Sequence, residues 1–392
     1  MTPKTRSVTL LIFAQISALS LWFITAAILP DMLREHDLSA LAQAALSSAV
    51  PAGFVVGALI SAFTGLSDRF DPRRVFAICA ILASASGFAL LITQPGGMAS
   101  IFLRFITGAM LAGVYPVGMK IAVGWGKEDR GLLVGLLVGA LTLGSASPYL
   151  IAWIGGTDWR LTIVAVSSLT VVSAFLIMFA QLGPYHARSP AFAVSSIAVA
   201  WTNKRVRYAY LGYFGHMWEL YAMWAWIGVA TLVSYRFTMS ETEAVDLSKL
   251  TAFLAIGLGG LASIAGGYVA DRIGKVQVTI VAMVVSGLAA IATAASFGGP
   301  AWITFVVVII WGIAIIPDSP QFSALVADAS PPEVAGSLMT FQTAIGFALT
   351  IFTVQSAPFL VELTGWPTVL AILAAGPAFG VWFMWKLKRL DR

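Results

Sequence analysis

Charge is scarce in this sequence. Asp, Glu, Lys and Arg make up 10% of its 392 residues, whereas 59% are hydrophobic. A water-soluble domain of this length needs far more charge on its surface. Cysteine is scarcer still. The single Cys79 excludes an intrachain disulfide and a cysteine metal cluster, and it reads as a small apolar helix residue. No His/Cys cluster has metal-ligand spacing. No Gly-rich phosphate-binding loop is present and no large soluble domain could hold a nucleotide, so ATP is not expected as the direct energy source. No nucleophile set converges in any motif. The sequence therefore predicts neither an enzyme nor a cofactor. A net charge of +5 does not indicate nucleic acid, because the basic residues sit in short loops beside apolar runs.

What the sequence has is long apolar runs. Runs of about 20 residues match a hydrocarbon core about 30 Å thick. Backbone polar groups in lipid need internal partners, so these runs should be helices. Twelve cores are read, at 8–29, 40–63, 73–93, 99–123, 131–153, 160–181, 208–233, 248–270, 276–296, 301–327, 334–357 and 366–387. The first run is too long for a signal peptide and is read as a retained helix. Residues 182–207 form the longest polar connection, with Pro184, Arg188, Pro190, Lys204, Arg205 and Arg207. They divide the chain into 1–181 and 208–392. The expected fold is an all-α membrane protein with twelve transmembrane helices in two pseudo-symmetric six-helix bundles. Lys and Arg set its orientation. Seventeen of them, from Lys4 and Arg6 to Arg392, fall on the side of the termini and central loop, whereas Arg34, Arg160, Arg236 and Lys249 fall in loops on the other. Both termini should then face the cytoplasm, with Arg104 and Lys120 left for the membrane.

The organising stretch is Gly266–Lys275, GGYVADRIGK, a charged loop between apolar runs. Gly267, Asp271, Arg272, Gly274 and Lys275 stand in the order G-x-x-x-D-R-x-G-K. Asp68 and Arg69 repeat its core 203 residues earlier, with Thr64 for the leading Gly and Asp71-Pro72 for the later one. Pro116 is echoed by Pro320, 204 residues on. Such an internal repeat resembles the major facilitator superfamily, whose signature loop joins the second and third helices of each half. Arg104 in RFITG occupies the arginine of the family's fourth-helix signature. Spans four and five look similar to cyanate-permease-like members. The superfamily's antiporter signature, a Gly-Pro pair in a glycine run, is missing from span five, which reads Gly135, Gly139, Gly144 and Ser145-Ala146-Ser147-Pro148.

Polar groups in hydrocarbon mark function or an interhelical partner. Arg104, His216, Glu219 and Asp318 stand out. Arg104 reads either as a contact to a substrate anion or a buried carboxylate, or as a fixed ion pair between helices. His216 and Glu219 are three apart and share a helix face; since His titrates near neutrality, they read as a proton-carrying pair or as a satisfied hydrogen-bond partner set. Asp318 lies between Pro317 and Pro320, which disturb the helix and suggest a cavity wall; the alternative is a solvated helix end. Tyr115, Gln15, Trp22, Gln321, Tyr221 and Trp224 are read as facing groups, with Gln342 and Gln355 behind them. The resemblance gives Asp68, Arg69, Asp271, Arg272, Gly267 and Gly274 the role of a conformational latch, against topology determination alone. Gly53, Gly57, Gly135, Gly139, Gly257, Gly259 and Gly260 read as close helix contacts.

The resemblance implies a secondary active transporter working by alternating access around a midplane site. The expected solute is small and anionic or zwitterionic, the proton is the coupling ion, and the lipid bilayer is the surroundings. It further implies a monomer in a bacterial inner membrane. A proton-coupled drug or metabolite exporter is the alternative, followed by a transporter-derived receptor.

Overall fold

A computed structural model describes residues 1–392 apart from Glu128, Thr157, 187–196 and 391–392. Within helices, the side chains of Ser67, Asp68, Arg130, Ile197, Pro332 and Glu333 are also outside the described set. The expectations placed on the Asp68 side chain and on Arg188, Pro190 and Arg392 therefore lie outside the described residues.

The described residues are helical, with no strand among them. The first pass is α1 (Pro3–Leu19) and α2 (Ile24–Glu35), and α3 (Ala40–Thr64) returns. The short α4 (Leu66–Arg69) leads into α5 (Pro72–Ala89). Then come α6 (Met98–Leu111), α7 (Tyr115–Val123), α8 (Arg130–Ile154), α9 (Trp159–Met178) and the short α10 (Ile197–Thr202). The second half holds α11 (Lys204–Tyr235), α12 (Glu241–Ile273), α13 (Lys275–Ser296), α14 (Ala301–Ala314), α15 (Ser319–Asp328), α16 (Pro332–Leu373) and α17 (Ala375–Leu390).

Ten stretches among the described residues are long and apolar enough to cross a membrane. Two features separate that count from the twelve read in the sequence. The 32-residue α11 is not among the ten, its Tyr, Trp, His and Glu side chains lowering its hydropathy. Val334–Leu390 counts once, although Gly365, at φ 79°, breaks α16.

Helix ends follow local chemistry. Ser39 accepts from Ala42 N–H at the start of α3, and Gly65, at φ 60°, ends that helix. Ser240 and Glu243 form a reciprocal capping box on α12. That early start corrects one expectation. Lys249, read as an outer-loop residue, sits two turns inside α12 and is 1% exposed. Polar residues Glu241–Lys249 hid the start of the helix from a reading based on apolar runs.

Close packing is carried by small residues. A Cβ on Gly53 would lie 1.9 Å from Phe105 O, and one on Gly108 1.9 Å from Val50 O, so α3 and α6 touch backbone to backbone. Gly135 has nothing within 4 Å of such a Cβ, which overturns the packing reading there. Ser48 contacts Gln355, while the Phe54 and Phe347 rings lie 4.7 Å apart. Hence α3 and α16 run antiparallel, and the end of α3 shares a face with the start of α16. Lys388 Nζ meets Gln277 Oε1 (2.7 Å) beside the Lys275–Asp328 ion pair, and this puts the end of α17 on that face as well. Gln181 N–H donates to Ser7 Oγ at 3.0 Å and Arg73, just past the end of α3, donates to Ala180 O at 3.1 Å, so the start of α1 and the end of α17 lie on one face, called here the terminal face.

Candidate functional site

Three of the long apolar stretches are broken at mid-depth. The first gives way at Ser20–Phe23, between α1 and α2. Another gives way at Ala112–Val114, between α6 and α7, and the third at Ile315–Asp318, between α14 and α15. Pro116 and Pro320 stand in the first turn after their breaks, where a missing N–H costs nothing. Broken helices free carbonyls and open polar positions inside an apolar body.

At the third break Asp318 meets α11. His216 Nδ1 lies 2.9 Å from Asp318 Oδ1, and each residue is 1% exposed. Tyr213 stacks on His216 at 6.0 Å between centroids, and Phe322 packs against both rings. His216 Nε2 has no hydrogen-bond partner among the described residues. Glu219, one turn further along α11, belongs to a different set. Its Oε1 accepts from Trp311 Nε1 at 2.7 Å and its Oε2 from Ser286 Oγ at 2.9 Å. Helical spacing suggested a His216–Glu219 pair. The fold instead gives each its own partners: Asp318 of the break for His216, and Trp311 of α14 with Ser286 of α13 for Glu219.

Arg104 is fully buried. Its Nη1 donates to Leu21 O at 3.0 Å and its Nη2 to Trp22 O at 2.6 Å. The guanidinium thus satisfies two carbonyls at the first break, in the two-pronged geometry arginine favours. These partners are backbone carbonyls, neither a carboxylate nor an ion-pair partner on another helix. Beside that break, Trp22 joins an aromatic cluster contributed by both halves. Its ring lies 4.9 Å from Phe54, 5.6 Å from Tyr221 and 5.5 Å from Phe347. Trp224 adds an edge contact to Phe23 at 5.8 Å, and its carbonyl accepts from Tyr149 Oη at 2.7 Å.

The remaining candidates are less concentrated. Tyr115, half-buried, lies within electrostatic reach of Tyr213 and Tyr221. Gln15 is buried against Gly118 with neither amide atom paired among the described residues, and Gln342 is likewise buried and unpaired. Gln321 is buried in the first turn of α15. A cavity of about 230 Å³ lies apart from these groups, between α11 and α16, lined by Trp218, Trp226, Phe352 and Trp366.

One buried pair was missed in the sequence. Lys249 Nζ lies 2.7 Å from Asp31 Oδ2, both side chains 1% exposed. It joins α12 to α2. The signal was a charge two turns into each helix, but Asp31 lies near the end of its apolar run and Lys249 was assigned to a loop.

The loop residues are placed at the terminal face. Asp271, Arg272 and Gly274 are exposed, and Gly274, at φ 95°, ends α12. Arg272 lies over the Tyr268 ring, 4.2 Å from its centroid, and bonds the same residue's hydroxyl. It is Lys275 that pairs across elements, with Asp328. Gly267 is half-buried within α12. In the earlier loop Arg69 is exposed, and Asp71 is the organised acid. Asp71 accepts from Arg73 N–H at 2.9 Å and binds its guanidinium at 2.7 Å, while Arg73 Nη1 reaches Ala180 O at 3.1 Å. The Arg73 guanidinium holds the Asp71 carboxyl below the usual carboxylate range.

Comparison with known proteins places this architecture. The sequence profile described as Major Facilitator Superfamily matches residues 11–354. No curated protein sequence matches the chain. Among solved structures, the fold is similar to a D-xylose-proton symporter at TM-score 0.76 and 14% identity, over 96% of this chain and 97% of that one. It is similar to the nucleoside transporter NupG at TM-score 0.72 and 14% identity, over 98% and 100%. It is also similar to the xylose transporter XylE from E. coli at TM-score 0.72 and 15% identity, over 98% and 99%.

Proposed function

The chain belongs to the Major Facilitator Superfamily, and on that premise we propose that it carries one small polar solute across a membrane by alternating access, coupled to protons. The carrying observation is the His216–Asp318 pair, buried at 2.9 Å beside the break between α14 and α15. A carboxylate in contact with an imidazole sets a proton donor beside an acceptor, and a broken helix gives the pair a polar path. Glu219 is the second candidate carboxylate. We place two six-helix bundles at 1–181 and 208–392, joined by a cytoplasmic connection at 182–207. The working unit is a monomer in a bacterial inner membrane, with both termini cytoplasmic.

The charge of the solute follows from where the cations are spent. Arg104 is committed to the carbonyls of Leu21 and Trp22, and Lys249 to Asp31. Support therefore moves from an anionic solute to a zwitterionic or neutral one. Trp22, Phe54, Tyr221 and Phe347 offer ring faces, and Gln15 and Gln342 offer unpaired amides. A second reading, export of an apolar compound against protons, is favoured by the apolar cavity beside Trp226 and Trp366.

Proteoliposomes test both readings. Purified protein is given an inward-directed proton gradient, acid outside, and a panel of pentoses, nucleosides, amino acids, small anions and lipophilic cations. Gradient-driven accumulation of a neutral or zwitterionic member is expected. Movement of lipophilic cations against the proton flux would establish the second reading. No driven flux and no exchange for any member would sink the first.

A further inference from the structure

The Lys249 ammonium is spent entirely on the other half of the chain. Besides Asp31 Oδ2 at 2.7 Å, it donates to Gly156 O at 2.8 Å and Ala152 O at 3.2 Å. All three oxygens belong to residues before 182, whereas Lys249 belongs to α12. Ala152 is in the last turn of α8, whose carbonyls lack intrahelical partners and carry the negative end of the helix dipole. Gly156, at φ 75°, adopts a left-handed conformation that turns its carbonyl to the same point. Three oxygens thus converge on one positive centre, with Asp31, Ala152 and Lys249 buried and Gly156 at the exposed rim.

The location is as informative as the geometry. Asp31, Gly156 and Lys249 lie on the face opposite the termini. Tyr149–Trp224 and Ser48–Gln355, which also join the halves, lie in the same half of the molecule. A buried ion pair adds little stability over an apolar packing of the same volume. As an interlock between two moving bodies, it has a use that static stability does not supply.

We propose that Asp31 with the carbonyls of Ala152 and Gly156 forms a site for a small monovalent metal cation, Na⁺ or K⁺, which the Lys249 ammonium fills in this conformation. Helix C-terminal carbonyls hold such ions in broken-helix carriers, and here Asp31 adds the negative charge. When the halves part on this face, Lys249 withdraws with α12. The site then carries one negative charge and two oriented carbonyls, and a free cation takes the tethered one's place. Return of Lys249 expels that ion and recloses the face. The proposal goes beyond proton coupling and rests on the alternating-access reading only for the parting of the halves.

Other charges around Asp31 are few. Arg34 lies on its own helix, and Asp246 is one turn from Lys249 on α12. Arg160 of α9 is taken up by Glu35, while α3 has no charged residue and the one in α8, Arg130, lies at its far end. Arg34, the further cation that acts on Asp31, is common to wild type and both variants compared below.

The test measures binding without transport, so it fails separately from the transport reading. Purified protein is melted in NaCl, KCl and choline chloride at equal ionic strength, at pH 6 and pH 8. The samples are wild type, Lys249→Met and Asp31→Asn/Lys249→Met. Lys249→Met should melt at least about 2 °C higher in NaCl or KCl than in choline chloride, because an ion bound only to the folded state stabilises it. Wild type and the double variant should show no such difference. Which salt acts identifies the ion. A response to acid alone, equal in all three salts, would reduce Asp31 to an ordinary buried carboxyl and overturn the proposal, as would no response. If Lys249→Met does not fold, Lys249→Gln, whose amide still donates to a carbonyl, takes its place in the same comparison.

Discussion

His216 Nδ1 and Asp318 Oδ1 lie 2.9 Å apart across the break between α14 and α15, with both side chains buried. If the pair carries the coupling proton, neutralising the acid uncouples transport without destroying it. Asp318→Asn should lower gradient-driven uptake at least about tenfold, equivalent to roughly 1.4 kcal/mol, while exchange of internal for external solute persists. The same comparison on Glu219→Gln assigns the second carboxylate. Full driven uptake in both variants would remove protons from this site.

Arg104 answers the two carbonyls of a broken helix, and this changes what its substitution should do. A lysine ammonium cannot span Leu21 O and Trp22 O as the guanidinium does. Arg104→Lys should therefore cost about 1–3 kcal/mol of stability, the usual penalty for a buried acceptor left unpaired, read as a lower melting temperature. An unchanged melting temperature with a raised half-saturation concentration would return Arg104 to the substrate.

Glycines that look alike in sequence separate here. A Cβ at Gly53 would meet Phe105 O at 1.9 Å, whereas one at Gly135 meets nothing within 4 Å. Gly53→Ala should force α3 from α6 and destabilise by about 1–3 kcal/mol or more. Gly135→Ala should be neutral, or stabilising by up to about 1 kcal/mol through helix propensity. Melting temperatures of the two variants, side by side, check this. Equal effects would mean that the α3–α6 contact is not as tight as drawn.

The parts legible in the sequence were those written locally. Apolar runs gave the helical passes, Pro317 and Pro320 marked the break around Asp318, and Pro116, the echo of Pro320, likewise stands just after a break. His216, Glu219, Arg104 and Asp318 stood out because an ionisable group in an apolar run has few excuses. Their partners were not legible. Asp318 and His216 are 102 positions apart, and Trp311 reaches Glu219 from another helix. No periodicity encodes which helix packs against which. The break at Ser20–Phe23 has no proline or glycine to announce it. Lys249 and Asp31 escaped because each lies near the end of an apolar run, where a charge normally means water.

At the terminal face, Asp71 does two jobs that acid can separate. Its carboxyl caps α5 by accepting from Arg73 N–H, and it pairs with the Arg73 guanidinium, which in turn holds Ala180 O. That guanidinium, chiefly through its hydrogen bond, lowers the Asp71 carboxyl from its ordinary value of 3.8. A carboxyl whose folded value is depressed contributes stability above the unfolded value and loses it as pH falls through the folded one. Wild type should therefore lose melting temperature below about pH 4, where the unfolded chain begins to take up the proton first. Asp71→Asn keeps a capping oxygen but carries no charge, so this site's share of the acid loss should vanish while stability at pH 7 falls only modestly. Asp71→Ala loses the cap as well and should cost about 1 kcal/mol more than Asp71→Asn at every pH. Melting curves for the three proteins between pH 3 and pH 7 decide it. Parallel acid losses in wild type and Asp71→Asn would show that the cap, and not the charge pair, is what Asp71 supplies.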